Sequence, residues 1–364
     1  MRVGRWISLN AVAAVGAAIV LAACGGGGGG GGGGGHTIAL LLPESKTTRY
    51  ESQDRPHFEQ KVKQSCADCN IFYANADQDA DTQQQQAEAA LTKGADVLVL
   101  DPVDAASASS IVAQANRQNV PVISYDRLIP NADIDYYISF DNLRVGRLQA
   151  QSLEGKLDSE GEGSGTIVMI NGAPTDSNAA QFKKGATGVF DTSSLTIGKE
   201  FDTPDWSPDE AQTEMEQAIT ALGSNGFVGA YVANDGMAGG VIAAMKAAGI
   251  DPSTRPTTGQ DAELAGIQRI LVGQQYMTVY KAIKREAQDA ARLAVAVARG
   301  DQAPAGLVNR KVENGKKSVP SVILTPVAVT RNNVKSTVVK DRFWTPAQIC
   351  TGRFAAACRA VGIE

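Results

Sequence analysis

Short apolar runs alternate with helix-like segments from Thr37 onward, and this alternation restricts the fold more than any other feature of the chain. Four apolar runs in the first part are predicted strands: Thr37–Leu42, Ile71–Ala74, Val97–Leu100 and Val120–Ser124. Three predicted helices lie between them: His57–Gln64, a segment that Asp81 caps and that ends at Lys93, and Ser107–Asn119. This alternation is typical of an α/β fold, in which helices cover both faces of a parallel sheet.

The same plan returns in the second half of the chain. The predicted strands there are Thr166–Ile170, Gly229–Ala233 and Thr257–Gly259, and the predicted helices are Asn178–Val189, Asp209–Leu222 and Gly239–Ala248. The segments Ala95–Asp126 and Gly229–Asp261 share one order of apolar strand, acidic turn, alanine-rich helix, short strand and aspartate. Because the residues from His36 to Glu364 exceed one typical core, the sequence predicts two similar lobes.

Polar residues follow several of these strands. In open parallel sheets, ligands bind beyond the carboxyl ends of the strands. That rule selects Pro43–Tyr50, Asp126–Arg127, Asn234–Asp235 and Asp261. Carboxylates accept hydrogen bonds from paired sugar hydroxyls, guanidinium groups donate to them, and asparagine does both. With Asn178, Lys281 and the rings of Tyr50 and Trp206, these residues suit a carbohydrate in a cleft between the lobes.

Each of these residues also has an ordinary structural explanation. Asp126 and Arg127 could form a surface ion pair, and Asn234 could only cap a helix. Trp206 could lie at the edge of a core, and Lys281 could be a solvated lysine. The recurrence of such residues at strand ends favours a binding site.

Groups suited to catalysis are scarce. The chain contains no Gly-x-Ser-x-Gly motif and no glycine-rich phosphate-binding loop, and His57 is a lone histidine. Asp126 and Asp261 could in principle cleave a glycosidic bond, but beside Arg127 and Lys281 both would stay ionised and leave no general acid. We therefore predict a binding protein rather than an enzyme, without cofactor or metal.

Several longer motifs resemble one known family. They are Tyr125–Ile129, Asn131–Asn142 with Val145–Gly146, Ala233–Asp235 with Ala238–Gly240, Gly259–Ile267 and Met277–Lys281. They resemble the periplasmic xylose-binding proteins of ABC transporters, in the pentose and glucose branch of the type I sugar-binding family. The similarity extends from about Thr37 to about Lys340.

This resemblance implies two Rossmann-like lobes joined by a three-segment hinge, near Ser139–Asn142, Met277–Lys281 and Leu324–Val327. It places residues 37–139 and 279–323 in the N-terminal lobe, and residues 140–278 and 324–342 in the C-terminal lobe. The implied sugar contacts are Arg49, Tyr50, Asp126, Arg127, Asn178 in the motif Pro174–Ala179, Trp206, Asn234, Asp261 and Lys281. The lobes would close on a monosaccharide, xylose or a related aldopyranose, and a membrane permease would recognise the closed form.

Two segments depart from the family pattern. The first loop, Glu44–Arg55, matches poorly, and Tyr50 stands where the xylose binders have tryptophan. The C-terminal extension, Phe343–Glu364, has no counterpart in the enteric members. It could pack across the hinge or cover a sheet edge.

The N-terminal residues indicate export. Arg2 and Arg5 precede the apolar run Ile7–Val20, which is too short to span a bilayer comfortably. Leu-Ala-Ala-Cys resembles a bacterial lipobox, which predicts a signal peptide over residues 1–23 and lipid attachment at Cys24. Residues 24–36 would form a glycine-rich tether, because glycine has the greatest backbone freedom. We expect an extracytoplasmic protein that is lipid-anchored to the outer face of a Gram-positive membrane.

The remaining cysteines form two close pairs, Cys66 with Cys69 and Cys350 with Cys358. Export permits disulfides, and we predict this local pairing. The Cys-x-x-Cys spacing also fits a zinc site or a redox motif, although only His36 and His57 could complete a metal site.

Charge and composition limit the partners. The net charge is −5 and basic residues do not cluster, so nucleic acid is a poor partner. We expect a monomer whose partners are a monosaccharide, the permease subunits of an ABC importer and the bilayer. Two other functions remain open: a sensor that presents the sugar to a membrane receptor, and a glycoside-processing enzyme in the same cleft.

Overall fold

The computed structural model describes residues 35–364, so the predicted signal peptide, the Cys24 anchor and the glycine tract up to residue 34 lie outside the described residues. Within the described range, no helix combines the length and the apolar character that crossing a bilayer requires.

Strands and helices alternate along most of the chain. The strands are β1 Thr37–Leu42, β2 Asn70–Asn75, β3 Val97–Leu100, β4 Val122–Tyr125, β5 Tyr136–Phe140, β6 Thr166–Asn171, β7 Thr196–Asp202, β8 Gly229–Val232, β9 Met277–Tyr280, β10 Arg310–Glu313, β11 Ser318–Leu324 and β12 Val327–Thr330. The helices are α1 Arg55–Ser65, α2 Ala80–Thr92, α3 Ser109–Arg117, α4 Asn142–Ser159, α5 Ser177–Phe190, α6 Pro208–Leu222, α7 Asp235–Ala247, α8 Leu264–Leu271, α9 Ile283–Ala298, α10 Pro346–Ile349 and α11 Ala355–Ala360.

The first lobe is built on a seven-stranded sheet of order β10-β11-β5-β4-β3-β1-β2. Neighbouring strands are parallel, except that β10 runs antiparallel to β11. Successive residues of a strand face opposite sides of a sheet. In β1, Leu40 and Leu42 therefore join the core on one face, whereas Ala39 and Leu41 join the core on the other. Burial on both faces explains the continuous apolar runs of the sequence.

The second lobe repeats this strand order. Its β7-β6-β8 sheet is parallel, and β9 pairs antiparallel with β12. A segment that spans Thr257 and Gln260 connects the two sheets through parallel bridges from Ala230 to Thr257 and from Gln260 to Val279. The resulting order β7-β6-β8-segment-β9 matches β2-β1-β3-β4-β5 of the first lobe. The predicted repeat is confirmed, but the strand expected at Thr257–Gly259 consists only of isolated bridges.

The chain passes between the two lobes three times. The passages lie between β5 and α4, between β9 and α9, and between β11 and β12. Helix α9 packs against α1 of the first lobe, although β9 directly before it belongs to the second lobe. The fold is therefore the expected pair of α/β lobes with a three-segment hinge.

Two predicted helix starts are wrong. Asp79 caps α2 by accepting a hydrogen bond from the Thr82 amide, whereas Asp81 lies inside the first turn. Helix α7 begins at Asp235, four residues before the predicted start at Gly239. A Cβ atom on Gly240 would lie 2.0 Å from a backbone oxygen of α6, so these glycines permit close helix packing rather than marking a boundary.

Both predicted local disulfides, Cys66–Cys69 and Cys350–Cys358, are present. The C-terminal extension packs on the second lobe. Its buried side chains join a core with residues of α8, β9 and β12: Phe343, Trp344, Ile349, Cys358 and Ile363. The extension therefore lies against the strand that leads into the second hinge passage.

Candidate functional site

A polar cavity of about 260 Å³ lies between the two lobes. All nine residues that the sequence predicted as ligand contacts line it: Arg49, Tyr50, Asp126, Arg127, Asn178, Trp206, Asn234, Asp261 and Lys281. Four further residues complete the lining: Thr47, Asp176, Phe182 and Gln260. The fold thus brings strand-end residues from both lobes to one closed site.

Asp126 and Asp261 occupy equivalent positions in the two lobes. Asp126 follows β4, and Asp261 follows the segment that takes the place of β4 in the second lobe. Both have left-handed backbone, with φ of 51° and 84°. Each amide donates to the neighbouring strand, to Ile138 at 2.8 Å and to Val279 at 2.9 Å. Aspartate adopts this conformation more readily than most residues, which explains its use at both turns.

Three carboxylates surround the buried guanidinium of Arg49. Its Nε and Nη2 donate to Asp54 at 2.9 and 2.8 Å, and Nη2 also donates to Glu286 at 2.9 Å. The third nitrogen, Nη1, donates to Asp126 Oδ1 at 3.2 Å. Tyr125 also donates to Asp54. Arg49 is therefore held in one orientation, which fixes its contact with Asp126 at the cavity.

Arg127 is buried and joins the lobes. Its Nη1 donates to the Pro102 carbonyl at 3.1 Å, and its Nη2 donates to the Tyr50 hydroxyl at 3.2 Å. Its Nε lies 2.9 Å from Asp176 of the second lobe and 3.5 Å from Asp101. The Nε–H has no aligned acceptor among the described residues, so the contact with Asp176 is an ion pair rather than a hydrogen bond.

Lys281, at the second hinge passage, lies between the two equivalent aspartates. Its Nζ is 2.9 Å from Asp261 Oδ1 and 3.9 Å from Asp126 Oδ1. The ammonium also lies over the rings of Phe140 and Phe182, 5.6 and 5.7 Å from their centroids. These contacts allow a cation to remain buried, because attraction to carboxylates and ring faces replaces hydration.

The second lobe contributes an amide, a carboxylate and an indole. Asn178, at the start of α5, donates through Nδ2 to the Asp126 carbonyl at 3.1 Å and so crosses between the lobes. Trp206 Nε1 donates to Asp176 Oδ2 at 3.1 Å. A Cβ on Gly172 would lie 2.0 Å from the Trp206 ring, so only glycine leaves room for the indole there. The Trp206 ring is thereby fixed at the cavity wall.

Asn234 caps a helix and also lies at the cavity. Its Oδ1 accepts from the Met237 amide at 2.8 Å and caps α7, while the residue also lines the cavity. The neighbouring Asp235 is buried outside the cavity lining. It accepts hydrogen bonds from Gln275 at 2.6 Å and Thr278 at 3.0 Å.

Electrostatic attraction keeps the cavity carboxylate of the first lobe ionised. Burial raises the pKa of Asp126, but attraction to Arg49, Lys281 and other cations outweighs it and holds the pKa below its usual value. Asp101 and Glu286 lie behind the lining, and burial raises the pKa of each well above its usual range. For Lys281, burial lowers the pKa, but the nearby carboxylates outweigh burial, so the pKa lies above its usual value. Asp126 and Lys281 therefore keep their charges at the cavity.

Three of the four additional lining residues lie beside residues that were predicted. Asp176 caps α5 two residues before Asn178, and Phe182 follows Asn178 by one helical turn. Gln260 directly precedes Asp261. Proximity to a predicted contact is the sequence signal that could have identified them. Glu286 lies on α9, where a glutamate beside lysine and arginine gives no local sign of burial against Arg49.

Two α/β lobes that enclose a polar cavity at their strand ends define a ligand-binding protein of the bilobal class. Residues 38–302 match the family model described as "Periplasmic binding protein domain". The chain is 37% identical over 317 residues to the D-xylose-binding periplasmic protein of Escherichia coli (strain K12), which covers 86% of this chain and 92% of that protein. It is 30% identical over 359 residues to the "Multiple sugar-binding periplasmic receptor ChvE" of Rhizobium radiobacter, which covers 94% and 99%.

Solved structures give the same result. An ABC transporter solute binding protein from Clostridium phytofermentans, with bound β-D-glucose, matches with a TM-score of 0.77 and 28% identity over 86% of this chain and 99% of that one. A carbohydrate transporter solute binding protein from Chloroflexus aurantiacus, in complex with D-glucose, matches with a TM-score of 0.75 and 28% identity over 85% and 97%. The chain belongs to the periplasmic binding protein family, and within it to the type I sugar-binding proteins.

Proposed function

We propose that this protein is the extracytoplasmic solute-binding component of an ABC sugar importer, and that it delivers one monosaccharide to a membrane permease. The observation that supports this most is the composition of the interlobe cavity. Three cations and three carboxylates line it together with three amides and three aromatic rings. This set provides hydrogen-bond donors, acceptors and apolar ring faces. A pyranose has hydroxyl groups that pair with the donors and acceptors, and C–H faces that pack on the rings.

The charge balance favours a neutral ligand. Each lining cation already has a carboxylate within 3.2 Å, so a charged ligand would leave one group without its counter-charge. Hydroxyl groups can instead bridge a cation and a carboxylate without disturbing either. A neutral polyol is therefore the ligand class that the cavity suits.

Unsatisfied polar atoms also support a hydroxylated ligand. Arg127 Nε, Gln260 Oε1 and Asp261 Oδ1 are buried and lack a hydrogen-bond partner in the described part of the chain. Leaving such an atom unpaired costs about 1–3 kcal/mol. Sugar hydroxyls at these atoms would recover that free energy, and the closed lobes would gain affinity for the sugar.

We favour xylose or a related aldopyranose. Two relatives are D-xylose-binding periplasmic proteins, each 37% identical to this chain. The interlobe cavity is small, which favours a single sugar ring over an oligosaccharide. Tyr50 is the feature most distinct from the xylose binders. Its hydroxyl accepts from Arg127, so it sets the position of Arg127 as well as offering a ring face.

Binding would work by hinge closure. Arg127 with Asp176 and Asn178 with Asp126 connect the lobes when they are closed. A sugar that contacts both lobes favours this closed state only by its greater affinity for it. The permease would then recognise the surface that closure creates. We infer further that Cys24 holds the protein at the outer face of a Gram-positive membrane, with residues 24–36 as a tether, and that the protein is monomeric.

A thermal-shift screen tests the proposed ligand class. The protein should be heated with D-xylose, D-glucose, L-arabinose and D-ribose, and with citrate as a charged control. A tight ligand raises the melting temperature by mass action, so we expect a rise with at least one aldopyranose and none with citrate. No rise with any monosaccharide, or a rise only with citrate, would contradict the proposal.

A sensor remains the second candidate, because one relative is named a multiple sugar-binding receptor. Deletion of the gene separates the two roles. Loss of labelled-sugar uptake indicates transport, whereas intact uptake with a lost transcriptional response indicates sensing. A third candidate, a glycoside-processing enzyme, requires turnover of a glycosidic bond, so labelled glycosides recovered unchanged after long incubation with the protein would exclude it.

A further inference from the structure

We propose that Trp344 of the C-terminal extension is a positioning residue for Asp261, and that the extension thereby tunes the affinity of the sugar site. The inference rests on the proposed function for its ligand. It assigns a binding role to a segment that lies outside the cavity lining.

The contact is a hydrogen bond to the residue after Asp261. Trp344 Nε1 donates to the Ala262 carbonyl at 2.8 Å, and Ala262 is fully buried. On the other side of the same residue, the Ala262 amide donates to the Thr278 hydroxyl at 3.2 Å. The two peptide groups that flank Ala262 are therefore each held by a hydrogen bond.

This turn needs such support because its backbone is unfavourable. Asp261 and Ala262 both have left-handed backbone, with φ of 84° and 50°. A single left-handed residue without a glycine already costs free energy, and alanine has no polar side chain with which to stabilise it locally. Two in succession persist only when their surroundings impose the conformation. Trp344 supplies one of the hydrogen bonds that do so, together with those that the Asp261 amide makes to Val279 and the Ala262 amide makes to Thr278.

The conformation of this turn sets where Asp261 points. Asp261 Oδ1 lies 2.9 Å from Lys281 Nζ, and both residues line the cavity. The residue before Lys281, Tyr280, packs edge-on against Phe343 with ring centroids 5.2 Å apart. The neighbouring residues Phe343 and Trp344 thus contact both chain segments that present this ion pair to the ligand.

The extension is itself rigid enough to act as a support. The Cys350–Cys358 disulfide closes it, and Cys358 is buried in the same core as Trp344. Gln268 of α8 donates to the Ile349 carbonyl at 3.1 Å and ties the extension to the second lobe. Trp344 therefore belongs to a segment that is packed against the second lobe and closed by a disulfide.

Trp344→Phe tests the proposal, because it keeps an aromatic ring but removes the N–H donor. Ile349→Val is the matched control, since Ile349 is buried in the same core and its side chain has no hydrogen-bond donor to offer Ala262. We expect W344F to weaken binding of D-xylose, or of the strongest aldopyranose in the screen, about tenfold by calorimetry. I349V should bind the sugar with wild-type affinity. This result is expected even if I349V and W344F have similar melting temperatures, because a general loss of stability does not move Asp261. Equal affinities of W344F and wild type would overturn the proposal.

A second measurement needs no ligand. In amide spectra of the sugar-free protein, W344F should shift the signals of Asp261 and Ala262, and I349V should leave them in place. Unchanged signals in W344F would overturn the positioning role. A wild type that binds no monosaccharide would refute the proposed function, while the amide spectra would still decide whether Trp344 positions Asp261.

Discussion

At the scale of single residues, the site depends on charges that are buried and paired. The Arg127 side chain is 2% exposed and touches the first lobe through Pro102 and Tyr50 and the second lobe through Asp176. Removal of one member of a buried pair leaves the other charge uncompensated. Such residues therefore contribute to stability as well as to binding, and substitutions must be interpreted with both effects in mind.

Arg127→Ala should lower both the affinity for sugar and the stability of the fold. We expect a loss of about 3–5 kcal/mol in the free energy of unfolding, because Asp176 loses the cation that lies 2.9 Å from it. Denaturant titration measures this loss. Lys317→Ala is the control, since the Lys317–Asp133 pair is exposed and should contribute at most about 1 kcal/mol. Equal losses in the two variants would contradict the account of Arg127.

Glu263 should make stability depend on pH. Burial and the nearby carboxylates of Asp235 and Asp261 raise the pKa of Glu263 from 4.5 to about 8. A raised pKa means that the folded protein binds the proton more tightly, so this contribution to stability is complete below pH 4.5 and is lost as the pH rises through about 8. The melting temperature of wild type should therefore fall more steeply from pH 5 to pH 8.5 than that of Glu263→Gln. Glu88→Gln, an exposed control, should retain the wild-type slope.

At the scale of elements, the C-terminal extension depends on its disulfide. The Cys350–Cys358 bridge spans eight residues and the Cys66–Cys69 bridge spans three. A disulfide stabilises more when it closes a longer loop, typically by about 2–4 kcal/mol. The double variant C350S/C358S should thus lose more stability than C66S/C69S, as measured by thermal melting. A larger loss in C66S/C69S would contradict the packing of the extension described above.

Elements with a clear apolar run were predicted correctly, and the polar residues selected at strand ends line one cavity. Val97–Leu100 is a strand of four buried residues, and its apolar run alone indicates this. The strand-end rule then located Asp126 and Asp261 on one cavity without knowledge of any contact. An apolar run and the position of a residue after a strand can both be read from the sequence without knowledge of long-range contacts.

Long-range contacts were not predictable in this way. Asp54 and Glu286 hold Arg49 from two different elements, and neither has a sequence pattern that distinguishes it from a solvated carboxylate. The hydrogen bond from Trp344 to the Ala262 carbonyl joins residues that are 82 positions apart. The cap of α2 was misassigned by two residues, since Asp79 and Asp81 are equally good N-cap residues. Side-chain packing, rather than composition, decides all of these.

At the scale of the whole molecule, binding should make the protein more compact. In the absence of ligand, opening of the hinge would expose Arg127, Asp176 and Asn178, which are buried when the lobes are closed. A bound sugar favours the closed lobes by its differential affinity. We therefore expect the radius of gyration from small-angle X-ray scattering to fall when a saturating aldopyranose is added. An unchanged radius on saturation would contradict hinge closure.

The central claim is that one monosaccharide binds in the interlobe cavity through strand-end residues of both lobes. Calorimetric titration of wild type and Asp261→Asn with D-xylose and D-glucose tests it most directly. D261N keeps the size of the side chain but removes the charge that pairs with Lys281. We predict one site per wild-type chain for at least one of these sugars, and a loss of affinity of about 100-fold or more in D261N, since each factor of ten is 1.4 kcal/mol. Wild-type affinity in D261N, or no binding of either sugar by wild type, would contradict the account.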